Sequence, residues 1–277
     1  MTIRELAARL KQYDEQEARS IVRLLLYDCF GMTMTDICTG ALEHLPNEDS
    51  KRLEQYMQRL EQGEPVQYVT GKTVFCGRVF HVEKGVLIPR PETEELCELI
   101  INGNTVAAPR ILDIGTGSGC IAITLASELP HSTVSAWDVS DDALRIASGN
   151  ADNMKVHVAF EKKDILKVCN DGCRNFDIIV SNTPYICDKE AADMEPHVLC
   201  HEPHLALFVP DNAPLLFYRS ITMFAKDKLT TVGKLYFEIN PLYSKEIQEL
   251  LKANGLQDIT LHQDQFGRQR FVSATAY

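Results

Sequence analysis

Residues 110–120 read R-I-L-D-I-G-T-G-S-G-C, and this stretch decides the fold. Its first five residues form a short, mostly apolar run that is typical of a buried strand. Gly115, Gly117 and Gly119 follow at once, and residues 118–129 have the apolar face of a helix. A strand that passes through glycines directly into a helix predicts a βα unit whose backbone can approach a ligand closely.

The same alternation continues toward the C-terminus. We predict helices at 141–153 and 244–254, and strands at 134–139, 176–180, 234–239 and 271–274. Alternating strands and helices predict an α/β fold with a mostly parallel sheet and helices on both faces. Ligands in that architecture bind outside the carboxyl ends of the strands.

The N-terminal part of the chain has a helical pattern. Thr2 and Glu5 have the spacing of a capping box, which predicts a helix start. Apolar residues then recur at helical spacing and stop at Gly31 and, further on, at Gly63, where glycine ends a helix readily. We therefore predict a small helical bundle.

A β-hairpin is predicted between the bundle and the α/β part. Residues 74–82 are rich in β-branched and aromatic side chains around a glycine, and a Pro-rich segment follows before a helix that begins near Glu92. We expect three parts: a helical domain at 1–70, a hairpin linker at 71–90 and an α/β domain at 91–277.

Composition and charge exclude several classes of protein. The 277 residues are 45% hydrophobic and 24% charged, as in ordinary globular proteins. The 28 Lys and Arg against 39 Asp and Glu give a net charge of −11, so nucleic acid is not expected as the direct substrate. The nine cysteines are scattered without a CxxC pair, which favours free thiols in a cytoplasmic protein and no metal. Neither a signal peptide nor a membrane span is expected.

The glycine turn differs from two common nucleotide sites. Its spacing is G-x-G-x-G, with Cys120 in place of the last glycine of a dinucleotide fingerprint, and no Gly-Lys-Ser/Thr follows as in a P-loop. Asp138 ends the next strand, where a carboxylate can accept both hydroxyls of a ribose. A tight turn beside a solvated aspartate is the alternative interpretation.

This stretch resembles motif I of the class I S-adenosylmethionine (AdoMet) methyltransferases. The resemblance implies a Rossmann-like fold, AdoMet as the cofactor and S-adenosylhomocysteine as the product. It also implies a set of cofactor-binding residues: Asp113, Gly115, Thr116, Gly117, Ser118, Gly119, Asp138, Asp164, Ile165 and Asn182. Asp164 and Ile165 match by position only, before a helix-like segment at 166–168, and Asp113 could bond either the turn amides or the ammonium group of the cofactor.

A second motif follows the strand at 176–180. Asn182-Thr183-Pro184-Tyr185 resembles the N/D-P-P-Y/F motif of methyltransferases that modify planar, sp²-linked nitrogens. Such a nitrogen is a poor nucleophile, so both of its N–H bonds must be fixed by acceptors. The Asn182 side-chain oxygen and the carbonyl of residue 183 can accept them, Pro184 stiffens the loop and Tyr185 offers a stacking face. Thr183 replaces the first proline, and an ordinary Asn-x-Pro turn is the alternative.

Three further segments indicate whether the nitrogen that receives the methyl group belongs to a base or to an amide. Residues 63–71, 75–82 and 86–94 resemble the G-E-P-x-Q-Y and V-L-I-P-R-P-E-T-E signatures of the HemK/PrmC family. The resemblance implies a protein-(glutamine N5) methyltransferase that acts on the GGQ glutamine of bacterial peptide-chain release factors. It implies a substrate-docking role for the helical domain. We expect a monomer, with Arg90 lining the cofactor or substrate pocket or pairing with Glu92 or Glu94.

Two other functions remain open at this point. An adenine-N6 methyltransferase of DNA or RNA would hold a flipped base with the same motif, but it requires a basic recognition region that the sequence lacks. A non-catalytic AdoMet-binding or release-factor-binding module is compatible with the Thr183 replacement. Turnover would distinguish that module from an enzyme.

Overall fold

The structure is a computed structural model, and it describes residues 2–168 and 176–277. The chain divides into two compact units. The first comprises Met1–Lys72, Val82–Lys84 and Met194–His201; the second comprises Thr73–His81, Gly85–Asp193 and Glu202–Tyr277. The boundaries that we expected at residues 70 and 90 stay a prediction.

Twelve α-helices and eleven strands are formed by the described residues. The helices are α1 (Ile3–Ala7), α2 (Glu15–Phe30), α3 (Met34–Cys38), α4 (Asn47–Glu61), α5 (Val66–Thr70), α6 (Pro91–Gly103), α7 (Cys120–Glu128), α8 (Asp141–Met154), α9 (Pro196–His201), α10 (His204–Leu207), α11 (Leu216–Lys228) and α12 (Ser244–Ala253). The strands are β1 (Lys72–Phe75), β2 (Arg78–His81), β3 (Arg110–Ile114), β4 (Thr133–Asp138), β5 (Ala159–Lys162), β6 (Phe176–Ser181), β7 (Ile186–Cys187), β8 (Phe208–Val209), β9 (Leu229–Glu238), β10 (Gln257–Gln263) and β11 (Gln269–Thr275).

Helix signals in the sequence account for the first unit. The capping box is confirmed, because the Thr2 hydroxyl accepts from the Glu5 amide and the Glu5 carboxylate accepts from the Thr2 amide. Helix α2 ends at Gly31, whose φ of +65° lies in the left-handed region. Apolar faces of these helices form one core, built around Leu6, Leu10, Val22, Leu25, Leu26, Leu53, Met57 and Leu60.

A seven-stranded sheet forms the centre of the second unit. The strand order is β10-β11-β9-β6-β3-β4-β5, and the strands from β9 to β5 run parallel while β10 and β11 pair antiparallel. Successive residues of β3 point to opposite faces, so Ile111 packs in a core with α6 and α7 while Leu112 packs in a core with α11 and α12. The predicted α/β fold is confirmed.

Strands β5, β7, β8 and β10 and helices α9 and α10 were not predicted, and one segment was misassigned. Strands β5 and β10 are the edges of the sheet and are largely exposed, so they lack the apolar run that marks an inner strand. Helix α11 was also missed. The predicted helix at 166–168 is wrong, because Asp164 accepts the amide of Leu166 and closes a turn there. None of the helices in the described residues combines the length and apolar composition that a bilayer crossing requires.

Candidate active site

The strand register brings four segments to one edge of the sheet. Ile114 of β3 pairs with Trp137 of β4 on one side and with Ser181 of β6 on the other. Ser181 in turn pairs with Phe237 of β9. The residues that follow these four are Gly115, Asp138, Asn182 and Glu238, and they stand in a row at the carboxyl ends of parallel strands, where α/β sheets bind ligands.

The glycine turn after β3 satisfies its own amides. Gly115 and Thr116 donate to the carbonyl of Trp137 at 2.8 and 3.0 Å, and Gly117 donates to the Asp138 carboxylate at 2.9 Å. These three amides are therefore not free to bind a ligand, unlike the amides of a loop that cradles phosphate. A Cβ atom added at Gly117, whose φ is +54°, would meet no atom within 4 Å, so the turn is open above this residue.

Asp138 holds the turn from the neighbouring strand. Its second carboxylate oxygen accepts from the amide of Ser140 at 2.9 Å. Each oxygen thus has one backbone donor and keeps a lone pair for a further donor. Asp138 also lines the cavity described below.

Asp113 lies beneath the turn and does not line the cavity. Its side chain is fully buried and accepts the hydroxyl proton of Thr116 at 2.6 Å. Burial raises the pKa of Asp113 to about 7, and the negative charge of Asp138 adds to the shift, whereas the Thr116 hydrogen bond opposes it. Of the two roles considered for Asp113, its contact is with the turn, through a hydroxyl rather than an amide.

A cavity of about 280 Å³ opens above the strand ends. This volume is near the lower end of the range for small-molecule sites, about 300 to 1,000 Å³. Its lining includes the turn with Asp138 and the apolar side chains of Leu87, Val139, Ile165 and Phe217. Two buried hydroxyls in its lining, Ser118 Oγ and Thr183 Oγ1, have no hydrogen-bond partner among the described residues.

The features of the cavity fit AdoMet. Apolar side chains suit an adenine ring, paired acceptors suit a ribose, and unpartnered hydroxyls suit the polar methionine part. Of the residues predicted to bind the cofactor, all but Asp113 and Gly119 line this cavity. Gly119 instead faces α8, since an added Cβ would come within 3.0 Å of Ala147.

Two lining residues already have charged partners. Asp164 pairs with Lys167 at 2.8 Å, and this contact lowers the pKa of the Asp164 carboxyl. Arg90 pairs with Glu202 at 2.6 Å, rather than with Glu92 or Glu94. The Glu202 side chain is fully buried and also accepts the amide of Ile88, so this carboxylate anchors the Pro-rich segment beside the cavity.

Asn182, Thr183 and Pro184 line the cavity beside the glycine turn. The Asn182 side-chain nitrogen donates to the Thr93 hydroxyl at 3.1 Å, and within the described part of the chain its side-chain oxygen Oδ1 accepts no hydrogen bond. The methyl carbon of Thr183 lies 3.1 Å from the position of a Cβ at Gly115, so the loop packs closely on the turn.

Tyr185 and its partner Glu238 lie behind the loop. The Tyr185 hydroxyl donates to Glu238 at 3.0 Å, and Tyr185 is not among the residues that line the cavity. The stacking role expected for Tyr185 stays a prediction. Glu238 and Thr93 were not identified in the sequence analysis, although an acidic residue at the end of the apolar run L-Y-F-E-I is a usable signal.

The cysteines and the acidic residues show no metal cluster in the described ranges. No group of three or more His, Cys, Asp or Glu side chains there is arranged to hold an ion, and this finding leaves the metal-free mechanism a prediction. Seven cysteines are free thiols; Cys169 and Cys173 lie outside the described residues.

Comparisons with known proteins agree with this geometry. Residues 2–71 match the PrmC N-terminal domain, and residues 94–205 match the methyltransferase small domain. A release factor glutamine methyltransferase of Bacteroides thetaiotaomicron is 43% identical over 95% of this chain and 94% of its own length. That of Flavobacterium psychrophilum is 44% identical over 94% and 92%. A methyltransferase structure from Pyrococcus furiosus shares the fold, with a TM-score of 0.51, 16% identity and coverage of 71% of this chain and 87% of that one.

The fold and the cavity at the strand ends define the protein as a class I, AdoMet-dependent methyltransferase. The relatives that align over nearly the whole chain narrow the class further. The chain belongs to the family of release factor glutamine methyltransferases.

Proposed function

We propose that the protein transfers the methyl group of AdoMet to the side-chain nitrogen N5 of the GGQ glutamine of bacterial peptide-chain release factors. The observation that carries this proposal is that the Asn182 loop and the glycine turn line one cavity, with the Asn182 Oδ1 atom left unpaired. Family membership supports the choice of a glutamine in a release factor.

The cofactor end of the site consists of the turn and the two strands beside it. AdoMet, when bound, supplies an electrophilic methyl group. Gly115 and Gly117 let the backbone come close to it, and Asp138 offers its remaining lone pairs to the ribose hydroxyls. Asp164 and Ile165 lie where they can face the adenine, and Ser118 contributes an unpartnered hydroxyl.

The acceptor end positions the amide nitrogen. The Asn182 Oδ1 atom and the Thr183 carbonyl accept hydrogen bonds from the two N–H groups of the substrate glutamine. This arrangement directs the nitrogen lone pair at the methyl group. Pro184 restricts the loop, and Tyr185 and Arg90 are the further residues that we assign to substrate binding. The reaction needs no metal. A strong base is not required either, because the methylated amide loses its extra proton readily.

Thr183 replaces a proline of the family motif without removing the acceptor that the mechanism uses. The acceptor is the main-chain carbonyl, which every residue type possesses. Close packing of the Thr183 methyl on Gly115 supports the loop in the absence of the proline ring. A catalytic role is therefore compatible with this replacement.

We assign release-factor docking to the helical domain at 1–70. Residues 2–71 match the N-terminal domain of the family, and Leu24 and Tyr27 share an exposed face of α2 with side chains 38% and 62% exposed. The enzyme works as a monomer in the cytoplasm, where it meets release factors. Tyr27→Lys should raise KM for a whole release factor but not for a GGQ-loop peptide. Met223→Lys, on an exposed face of α11, is the matched control.

The decisive experiment is methyl transfer followed by peptide mass spectrometry. The purified protein is incubated with AdoMet and an unmodified bacterial release factor, and a mixture of DNA and rRNA fragments is run alongside. We expect one methyl group on the GGQ glutamine and S-adenosylhomocysteine in equal amount, with both forming far more slowly in Asn182→Ala. Methyl on adenine with none on the release factor would refute the proposal.

The adenine-N6 alternative is not favoured. Relatives that cover more than nine-tenths of the chain are named as release factor glutamine methyltransferases. A non-catalytic module predicts AdoMet binding without any methylated product, so the same experiment separates it from the enzyme.

A further inference from the structure

The orientation of the Asn182 amide decides whether the acceptor end can work. A primary amide can present either its oxygen or its NH₂ group to the cavity, and only the oxygen accepts the substrate N–H bond. The shapes of the two ends are nearly identical, so packing alone selects neither. A hydrogen-bond partner with a fixed role must therefore make the choice.

Thr93 has that fixed role. It is the third residue of α6, is 2% exposed, and lies 3.1 Å from Asn182 Nδ2 and 2.7 Å from Glu238 Oε2. A hydroxyl has one proton, and an ionised carboxylate can only accept. The Thr93 hydroxyl therefore donates its hydrogen bond to Glu238. Its oxygen, which also faces Asn182, must then accept a hydrogen bond from Asn182. Only the NH₂ group of Asn182 satisfies it, which leaves Oδ1 to the cavity.

We propose that Thr93 and Glu238 are positioning residues that fix the side-chain amide of Asn182 with its oxygen toward the acceptor, Glu238 acting through Thr93. The inference rests on the proposed function for the identity of the acceptor. We call this chain of hydrogen bonds, from Asn182 to Thr93 to Glu238, the relay. Thr93 and Glu238 come from α6 and β9, so the relay joins two elements that lie far apart in sequence.

The surroundings of Glu238 support an accepting role. Its side chain is buried, and each carboxylate oxygen accepts a hydrogen bond from a hydroxyl, one from Thr93 and one from Tyr185. The Tyr218 hydroxyl donates to the main-chain carbonyl of Glu238 at 3.3 Å. Burial raises the pKa of Glu238, whereas the two hydroxyl donors and the positive charge of Arg270 lower it; Glu92 raises it further. Both carboxylate oxygens therefore already accept from a hydroxyl donor, and this arrangement sets the direction of the relay.

Substitution of Thr93 tests the relay directly. Thr93→Val keeps the size of the side chain and removes the acceptor, so we expect kcat to fall about 10- to 100-fold because the Asn182 amide loses its fixed orientation. The Kd for AdoMet should stay unchanged. Thr93→Ser restores the hydroxyl and should restore kcat.

A matched control separates the relay from general effects on packing. Thr222 is a fully buried threonine of α11 whose hydroxyl has no partner among the described residues. Thr222→Val should leave kcat and the AdoMet Kd as in the wild type. An equal loss of kcat in Thr93→Val and Thr222→Val would overturn the proposal.

A double-mutant cycle shows whether Thr93 acts through Asn182. In an Asn182→Ala background, Thr93→Val should cause no further loss in single-turnover rate, because the group that it orients is absent. Additive losses would assign Thr93 a separate role and reject the relay. Thermal unfolding first checks that Glu238→Leu is folded. Its single-turnover rate should match that of Thr93→Val, and the two losses should be non-additive.

A readout without cofactor or substrate distinguishes this inference from the proposed function. In ligand-free protein labelled with ¹⁵N-asparagine, the Asn182 side-chain NH₂ group should give two cross-peaks, one of them protected from solvent exchange. The pair should persist in Thr93→Ser and lose its protection in Thr93→Val. If the wild type leaves the release factor unmodified, the proposed function fails, and these cross-peaks still test the orientation; unchanged protection in Thr93→Val would refute it.

Discussion

The two ends of the site are built in different ways. At the cofactor end, backbone amides of the glycine turn donate to Trp137 and Asp138, and the Gly117 bond to Asp138 spans 21 residues. At the acceptor end, the Asn182 side chain bonds Thr93, 89 residues away, and Thr93 bonds Glu238 across 145 residues. A backbone shape is thus encoded locally, whereas the orientation of one amide requires partners from distant parts of the chain.

The largest expected effect is at the acceptor end. Asn182→Ala should lower kcat by about 30- to 1,000-fold, which corresponds to about 2 to 4 kcal/mol of lost transition-state stabilisation. The Kd for AdoMet should change far less. Single-turnover mass spectrometry and calorimetric titration measure the two quantities. If affinity falls as much as kcat does, Asn182 belongs to the cofactor end and the contrast between the ends is wrong.

The next effect concerns the buried carboxyl beneath the turn. The pKa of Asp113 in the folded protein is about 7, above its ordinary value of 3.8, so folding favours the protonated form. That stabilisation is complete below pH 3.8 and is lost as the pH rises through 7. Asp113→Asn, which stays neutral, should therefore be the more stable protein at pH 8, on the order of 4 kcal/mol.

Urea unfolding across a pH series checks this prediction. The advantage of Asp113→Asn should grow by about 1.4 kcal/mol per pH unit between pH 4 and 7 and then level off. AdoMet affinity should be unchanged, because Asp113 contacts the turn. A large loss of affinity would show that Asp113 binds the ammonium group of the cofactor instead.

A smaller effect is expected at Asp138. In Asp138→Asn an NH₂ group faces a backbone N–H, so one of the two charge-assisted bonds, from Gly117 or from Ser140, is lost and the Kd for AdoMet should rise roughly 10- to 100-fold. The kcat at saturating AdoMet should stay near that of the wild type. Asp141→Asn, at an exposed ion pair with Lys162, is the control and should change neither quantity. A fall in kcat without a change in Kd would place Asp138 at the acceptor end.

The smallest effects come from two glycines with opposite signs. Gly117→Ala places a side chain at φ +54° and should destabilise the fold by about 1 kcal/mol. Gly149 lies within α8 with open space around it, so Gly149→Ala should stabilise by about 0.5 to 1 kcal/mol. Thermal unfolding of both variants measures the difference. Equal shifts would mean that the turn imposes no special backbone conformation.

Much of the fold was predictable because its signals are local. The run that forms β3, the glycines after it and the acid that ends β4 all lie within 29 residues of sequence, from Arg110 to Asp138. Edge strands β5 and β10 were not predictable in this way, since a strand with one free edge needs few apolar residues.

The acceptor end was predictable only in part. The motif at Asn182 identified a residue that lines the cavity, yet no local pattern relates it to Thr93 on α6 or to Glu238 on β9. Likewise, the partner of Arg90 is Glu202, 112 residues further along, and not the acids two and four residues away. Side-chain partners depend on the tertiary fold, and a resemblance to a motif does not include them.

The long separation between Asn182, Thr93 and Glu238 has a consequence for folding kinetics. Contacts between residues close in sequence form sooner than contacts that close long loops. The turn with Asp138 therefore becomes ordered before the relay is complete, and we expect refolding chains to regain AdoMet binding before they regain methyl transfer.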